Sequence, residues 1–199
     1  MGFESKIFLY LIVVFSAVFH EYMHAWTAYY LGDPTAKYAG RLTLNPLKHL
    51  DPIWTVAVPL LMLFVFGGFI GAAKPVPYNP YNLRDQKYGH IKVGFAGPAA
   101  NFSIALVFGL LVRFFAVPEF MSLLFSWIIY INIFLGLFNL LPFPPLDGSK
   151  LLISLFPNSS IVRFLEHSFL GIFLAIIIAI NFLPYIASFL YFLITGGSF

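Results

Sequence analysis

The chain has 199 residues, of which 60% are hydrophobic, 20% aromatic and only 10% charged, and its mean hydropathy is +0.89. A soluble domain carries roughly 25% charged residues, so the composition excludes that class and indicates a polytopic membrane protein. The net charge of +3 comes from 11 Lys+Arg against 8 Asp+Glu and includes no basic block suited to nucleic acid, while the lack of cysteine excludes disulfides and thiolate metal sites.

The first predicted span covers about residues 6–31 and stops at Gly32-Asp33-Pro34, a glycine followed by proline. Lys6 is offset by Glu4 and no small-residue cleavage site follows the apolar run 7–19, so a retained span is expected rather than a leader. Within it lies His20-Glu21-Tyr22-Met23-His24, an H-E-x-x-H pattern. Positions four apart share a helix face, so His20 and His24 can hold one metal ion while Glu21, about 100° round, reaches a water beside it. At 1.5 Å per residue His20 is about 21 Å from Lys6 and His24 about 12 Å from Gly32, inside a hydrocarbon layer about 30 Å thick. Ionisable groups cost a few kcal/mol each at that depth and mark a site more readily than they serve packing.

Residues 35–52 are too polar to span. Arg41, Leu42, Thr43, Leu44 and Asn45 alternate with period two, which predicts a short membrane-associated strand. The apolar run 53–73 is broken by Pro59, Gly67, Gly68 and Gly71, and Lys74-Pro75-Val76-Pro77-Tyr78-Asn79-Pro80 must be extended, because a residue before proline is pushed out of the helical region. Spans follow at about 91–116 and 120–141, the former bearing Gly94, Gly97, Pro98 and Asn101, with Asn101 expected to bond across a helix contact. A further apolar helix is predicted at 161–181, then a piece at 184–196 of about 20 Å, short for a crossing.

The expected fold is therefore an all-α polytopic membrane protein with about five to six apolar helical segments, one of them re-entrant, and a short strand region. The chain reads as a single domain over 1–199, with a metal-site core at about 6–150 and accessory helices at about 161–196. His49, His90 and His167 fall near predicted membrane edges, where interfacial placement outweighs metal binding. For a third ligand, Asp147 is the only acidic residue between Glu119 and Glu166 and directly follows a span, although Asp-Gly after prolines is also ordinary turn chemistry.

Taken together, His20-Glu21-Tyr22-Met23-His24, Gly97-Pro98-Ala99-Ala100-Asn101 and Asn139-x-x-Pro142-x-x-x-Leu146-Asp147-Gly148 resemble the site-2 protease family of intramembrane zinc metalloproteases, as a minimal prokaryotic-type member. The resemblance implies one Zn2+ per chain held by His20, His24 and Asp147, with Glu21 as catalytic base and Asn139 as a contact to substrate or oxyanion. It implies as partner a membrane protein whose transmembrane helix can unwind, because a helix is not cut while its carbonyls are bonded internally. An edge at Arg41–Asn45 or at 74–80 would pair with the unwound segment.

The rival reading is a metal transporter or sensor, which predicts ligands lining a path through the bilayer. The runs 53–73 and 120–138 contain no His, Asp or Glu, so no relay is visible; an inactive relative is disfavoured by the presence of Glu21. If 53–73 turns back and the amino terminus lies outside, Lys6 and Arg113 are the only basic side chains outside among the 11, which fits the positive-inside rule and sets the metal nearer the cytoplasmic face.

Overall fold

The computed structural model describes residues 2–66, 74–197 and 199. The chain divides into two compact units, Met1–Arg84 and Asp85–Phe199.

In the first unit, α1 runs over Phe3–Tyr30, 28 residues, about 42 Å at 1.5 Å per residue and ample to cross a bilayer. It ends where Gly32 takes φ 108°, a left-handed conformation, and the Asp33 amide reaches back to the Ala28 carbonyl at 2.9 Å. Asp33 does more than stop the helix. Its fully buried carboxylate accepts from the Thr35 amide (3.1 Å) and hydroxyl (2.5 Å), the Asn79 amide (2.7 Å) and the Asn82 side chain (2.9 Å). These bonds fix the short α2, Thr35–Tyr38, and the distant segment 79–82 to the end of α1.

The strand expected at Arg41–Asn45 does not form, and the described residues contain no strand at all. Alternation is satisfied here by local bonding instead. Thr43 Oγ1 accepts from the Asn45 amide, its carbonyl pairs with His49 Nε2 at 2.8 Å, and Asn45 Oδ1 accepts from Leu47 to cap a single 3-10 turn, Pro46–Lys48. Of the broken apolar run, residues 52–66 are helical: π-turns at Pro52–Ala57 and Met62–Phe66 flank a short α3, Val58–Leu61. Pro59 lacks the amide that a regular helix uses, in keeping with the interrupted ladder. The glycines at 67, 68 and 71, on which the re-entrant reading leaned, lie outside the described residues.

The second unit contains α4 (Gly89–Phe114), α5 (Glu119–Asn139), α6 (Ser149–Leu155), α7 (Ser160–Glu166), α8 (Leu170–Asn181) and α9 (Leu183–Thr195). Helices α4, α5 and α9 pack mutually around Ala105, Ile129, Ile133, Ala187 and Tyr191. The small side chains Ala105 and Ala187 permit this close approach, as expected of helices in lipid. Asn101 Nδ2 donates to Asn132 Oδ1 at 2.9 Å with both residues fully buried, the interhelical bond that the sequence suggested for Asn101.

Helices α1, α4 and α5 are long and apolar enough to cross a membrane. The segment expected as one helix at 161–181 is instead α7 and α8, bent by 81° at a short break, and counts as a fourth span only if the pair is taken together. His167 Nδ1 pairs with the Arg163 carbonyl there, a bond that competes with helix propagation. The chain is thus an all-helical multi-pass membrane protein.

Candidate metal centre

Helix α1 carries the first part of the centre. His20 and His24 are both buried, at 7% and 6% exposure, and their Nε2 atoms are 2.9 Å apart with the rings near perpendicular at 82°. The i, i+4 spacing puts the rings on one face one turn apart. Zinc holds imidazole nitrogen at about 2.0–2.1 Å, so two such ligands on one ion have nitrogens about 2.9–3.4 Å apart for angles between square and tetrahedral. The pair fits a single ion without rearrangement of the helix.

Glu21, half-buried on the neighbouring stripe of α1, accepts a hydrogen bond from the Val76 amide at its Oε2, 2.8 Å away. Sequence reasoning missed this contact. Its one signal was the spacing of the prolines, since Pro75 and Pro77 leave Val76 as the only amide donor of that tripeptide.

Asp147 belongs to the second unit, in the loop between α5 and α6. It is 8% exposed, and its Oδ1 accepts from Lys150 Nζ at 2.7 Å. The loop is tied down by backbone bonds: Gly148 N–H to the Asn139 carbonyl at 2.7 Å, and Leu146 N–H to the Phe143 carbonyl at 2.9 Å. Gly148 is required because a Cβ there would collide with the Leu140 carbonyl. Gly94 of α4 serves the same loop from the side, where a Cβ would sit 3.1 Å from the Asp147 carbonyl. The glycine of Leu-Asp-Gly and Gly94 of α4 are thus packing requirements around the loop that bears one carboxylate.

Asn139, the expected substrate contact, lies at the end of α5 with its side-chain amide donating to the Leu135 carbonyl at 3.0 Å. Of the other histidines, His90 is half-buried, His167 is exposed and His49 is fully buried within the protein. Polar neighbours account for that burial, because the His49 ring pairs with the Thr43 carbonyl and the His49 carbonyl accepts from the Lys74 amide at 3.0 Å.

The sequence model of peptidase family M50 matches residues 116–184, the stretch that includes Asn139 and Asp147. The chain is 41% identical over 160 residues to "Putative zinc metalloprotease YwhC" of Bacillus subtilis, covering 75% of this chain and 69% of that protein. The chain belongs to peptidase family M50. Among less similar relatives, "Putative zinc metalloprotease Rip2" of Mycolicibacterium smegmatis is 36% identical over 67% of this chain and 51% of its own length. "Putative zinc metalloprotease MJ0611" of Methanocaldococcus jannaschii is 31% identical over 68% of this chain and 63% of its own. No solved structure matches the chain. Membership in M50 identifies the chain as a metalloendopeptidase.

Proposed function

We propose that this protein is a zinc-dependent intramembrane endopeptidase that hydrolyses peptide bonds within or near transmembrane segments of other membrane proteins. The observation that carries the reading is the buried His20 and His24 pair, its Nε2 atoms at single-ion spacing within a membrane-length helix, with a carboxylate on the adjoining stripe. Asp147 is the proposed third ligand, supported by its burial, its rigid glycine-dependent loop and the absence of any cysteine. Two imidazoles and a carboxylate form a donor set suited to catalytic zinc. When bound, zinc polarises a carbonyl and brings a water pKa toward about 7.

Glu21 is the proposed base, receiving the proton of the attacking water and delivering it to the leaving amine. A substrate contact from Asn139 requires its amide to leave the Leu135 carbonyl, a local side-chain rotation. The substrate is a membrane protein whose transmembrane helix can unwind, since its freed backbone groups need partners at this depth. The active site is proposed to lie nearer the cytoplasmic face, with 53–73 turning back within the bilayer and shielded by protein.

The test is cleavage of a transmembrane peptide by purified protein in lipid, with and without chelator. Chelator-sensitive cutting is expected, and re-addition of zinc should restore it. Cutting that ignores chelator would remove the metal from the reaction.

A further inference from the structure

We propose that Arg41 is a positioning residue for catalysis, acting through a strap of extended chain, Lys74–Asn79, that fixes the Glu21 carboxylate. The inference rests on the reading of Glu21 as the base. Arg41 is only 7% exposed, and no salt bridge among the described residues involves it. Its Nε is buried without a hydrogen-bond partner, while one guanidinium nitrogen, Nη2, donates to the Lys74 carbonyl at 2.6 Å. A buried cation without a counter-charge is costly, and an apolar side chain would fill the space more cheaply. What the guanidinium adds is a charge-assisted grip on one peptide group.

That peptide unit and its neighbour are held from two sides. The Lys74 amide donates to the carbonyl of His49, a fully buried residue itself anchored through Nε2 to Thr43. At the far end of the strap the Asn79 amide donates to the Asp33 carboxylate at 2.7 Å. Between these anchors Pro75 and Pro77 lock their own φ and restrict Lys74 and Val76 to extended geometry. Val76 packs with Ala25, Ala36 and Leu42, and its amide meets Glu21 Oε2 at 2.8 Å.

A glutamate on a helix has three rotatable side-chain bonds. Committing Oε2 to a held amide removes most of that freedom and leaves Oε1 for proton transfer. Misplacing a catalytic group by about 1 Å costs about a hundredfold in rate. Loss of the grip should therefore appear in kcat and leave KM and metal content in place.

The experiment uses the full chain reconstituted in lipid. In Arg41→Ala we expect kcat to fall at least tenfold with KM and zinc content unchanged, and hydrogen exchange at the Lys74 and Val76 amides to rise while the α4–α5 contact stays protected. Guanidinium ion in the buffer should recover part of both effects, and Arg41→Lys should lie between. Val76→Pro deletes the donor and keeps the extended geometry, and should also lower kcat, which keeps the test open if Arg41→Ala does not fold. Glu21→Ala separates the two readings: it should abolish cleavage and deprotect Val76. Retained cleavage there sinks the assignment of the base. Retained kcat and Val76 protection in Arg41→Ala, or retained kcat in Val76→Pro, overturns the strap and leaves the base assignment standing.

Discussion

The amide of Gly148 donates to the carbonyl of Asn139 at 2.7 Å, closing the loop that carries Asp147 back on to the last turn of α5. The closure leaves no room for a side chain, since a Cβ on Gly148 would collide with the Leu140 carbonyl and lie 2.6 Å from that of Leu141. Gly148→Ala must open the loop, at a cost of about 1–3 kcal/mol for overpacking against backbone. The expected outcome is a lower melting temperature together with reduced zinc occupancy by elemental analysis. Wild-type values for both would show that the loop has slack.

Glu21 and the two histidines share one helix but are assigned different tasks, and substitution separates them. Glu21→Gln should keep close to one zinc per chain and lose peptide cleavage by at least about a hundredfold, as expected for removal of a general base. His20→Ala and Asp147→Ala should lose the metal. Full zinc content in Asp147→Ala would move the third ligand elsewhere, whereas full activity in Glu21→Gln would remove the proposed base.

Helix α1 was legible because chemistry and hydropathy coincide in it. H-E-x-x-H in an apolar run, with Gly32 as stop, predicts α1 to within a few residues. Helices α4 and α5 followed from length and composition alone. Alternation at Arg41–Asn45 misled, because period two signals a strand only when a neighbouring strand takes up the backbone groups, and here Thr43, Asn45 and His49 satisfy them locally. Hydropathy is blind to direction, so the polar Glu166-His167-Ser168 at the junction of α7 and α8 did not disclose the 81° bend. Asp33 read only as part of a helix stop and His49 as a residue near a membrane edge, and only long-range bonds to Asn79, Asn82 and Lys74 reveal them as anchors within the fold.

The Asn101–Asn132 bond offers a measure of how much one buried polar contact contributes between α4 and α5. Either single alanine substitution strands a polar group, whereas the double substitution removes both. A double-mutant cycle on thermal unfolding in detergent should give a coupling of about 0.6–1.7 kcal/mol, the range for such bonds in membrane proteins. Strict additivity would mean that each side chain is served by other partners.

Asp33 should make stability pH-dependent on the acid side. Burial pushes its carboxyl pKa up, but the bonds from the Thr35 hydroxyl, Asn82 and the amides of Asn79 and Thr35 together outweigh that and hold it below its ordinary value. A carboxylate with a depressed folded-state pKa adds stability that is fully present above its unfolded value of about 3.9 and is lost as pH falls through the folded value. Asp33→Asn turns an amide group toward donors at the same site, so it should cost on the order of 1–3 kcal/mol at neutral pH. The difference in melting temperature between wild type and Asp33→Asn should therefore be constant from pH 7 to about pH 5 and shrink below about pH 4, because protonation makes the wild-type carboxyl as poor an acceptor as the amide. Thermal unfolding followed by intrinsic fluorescence across this range reads the effect. A gap that stays constant to about pH 3 would show that the charge on Asp33 contributes nothing to anchoring segment 79–82 at the end of α1.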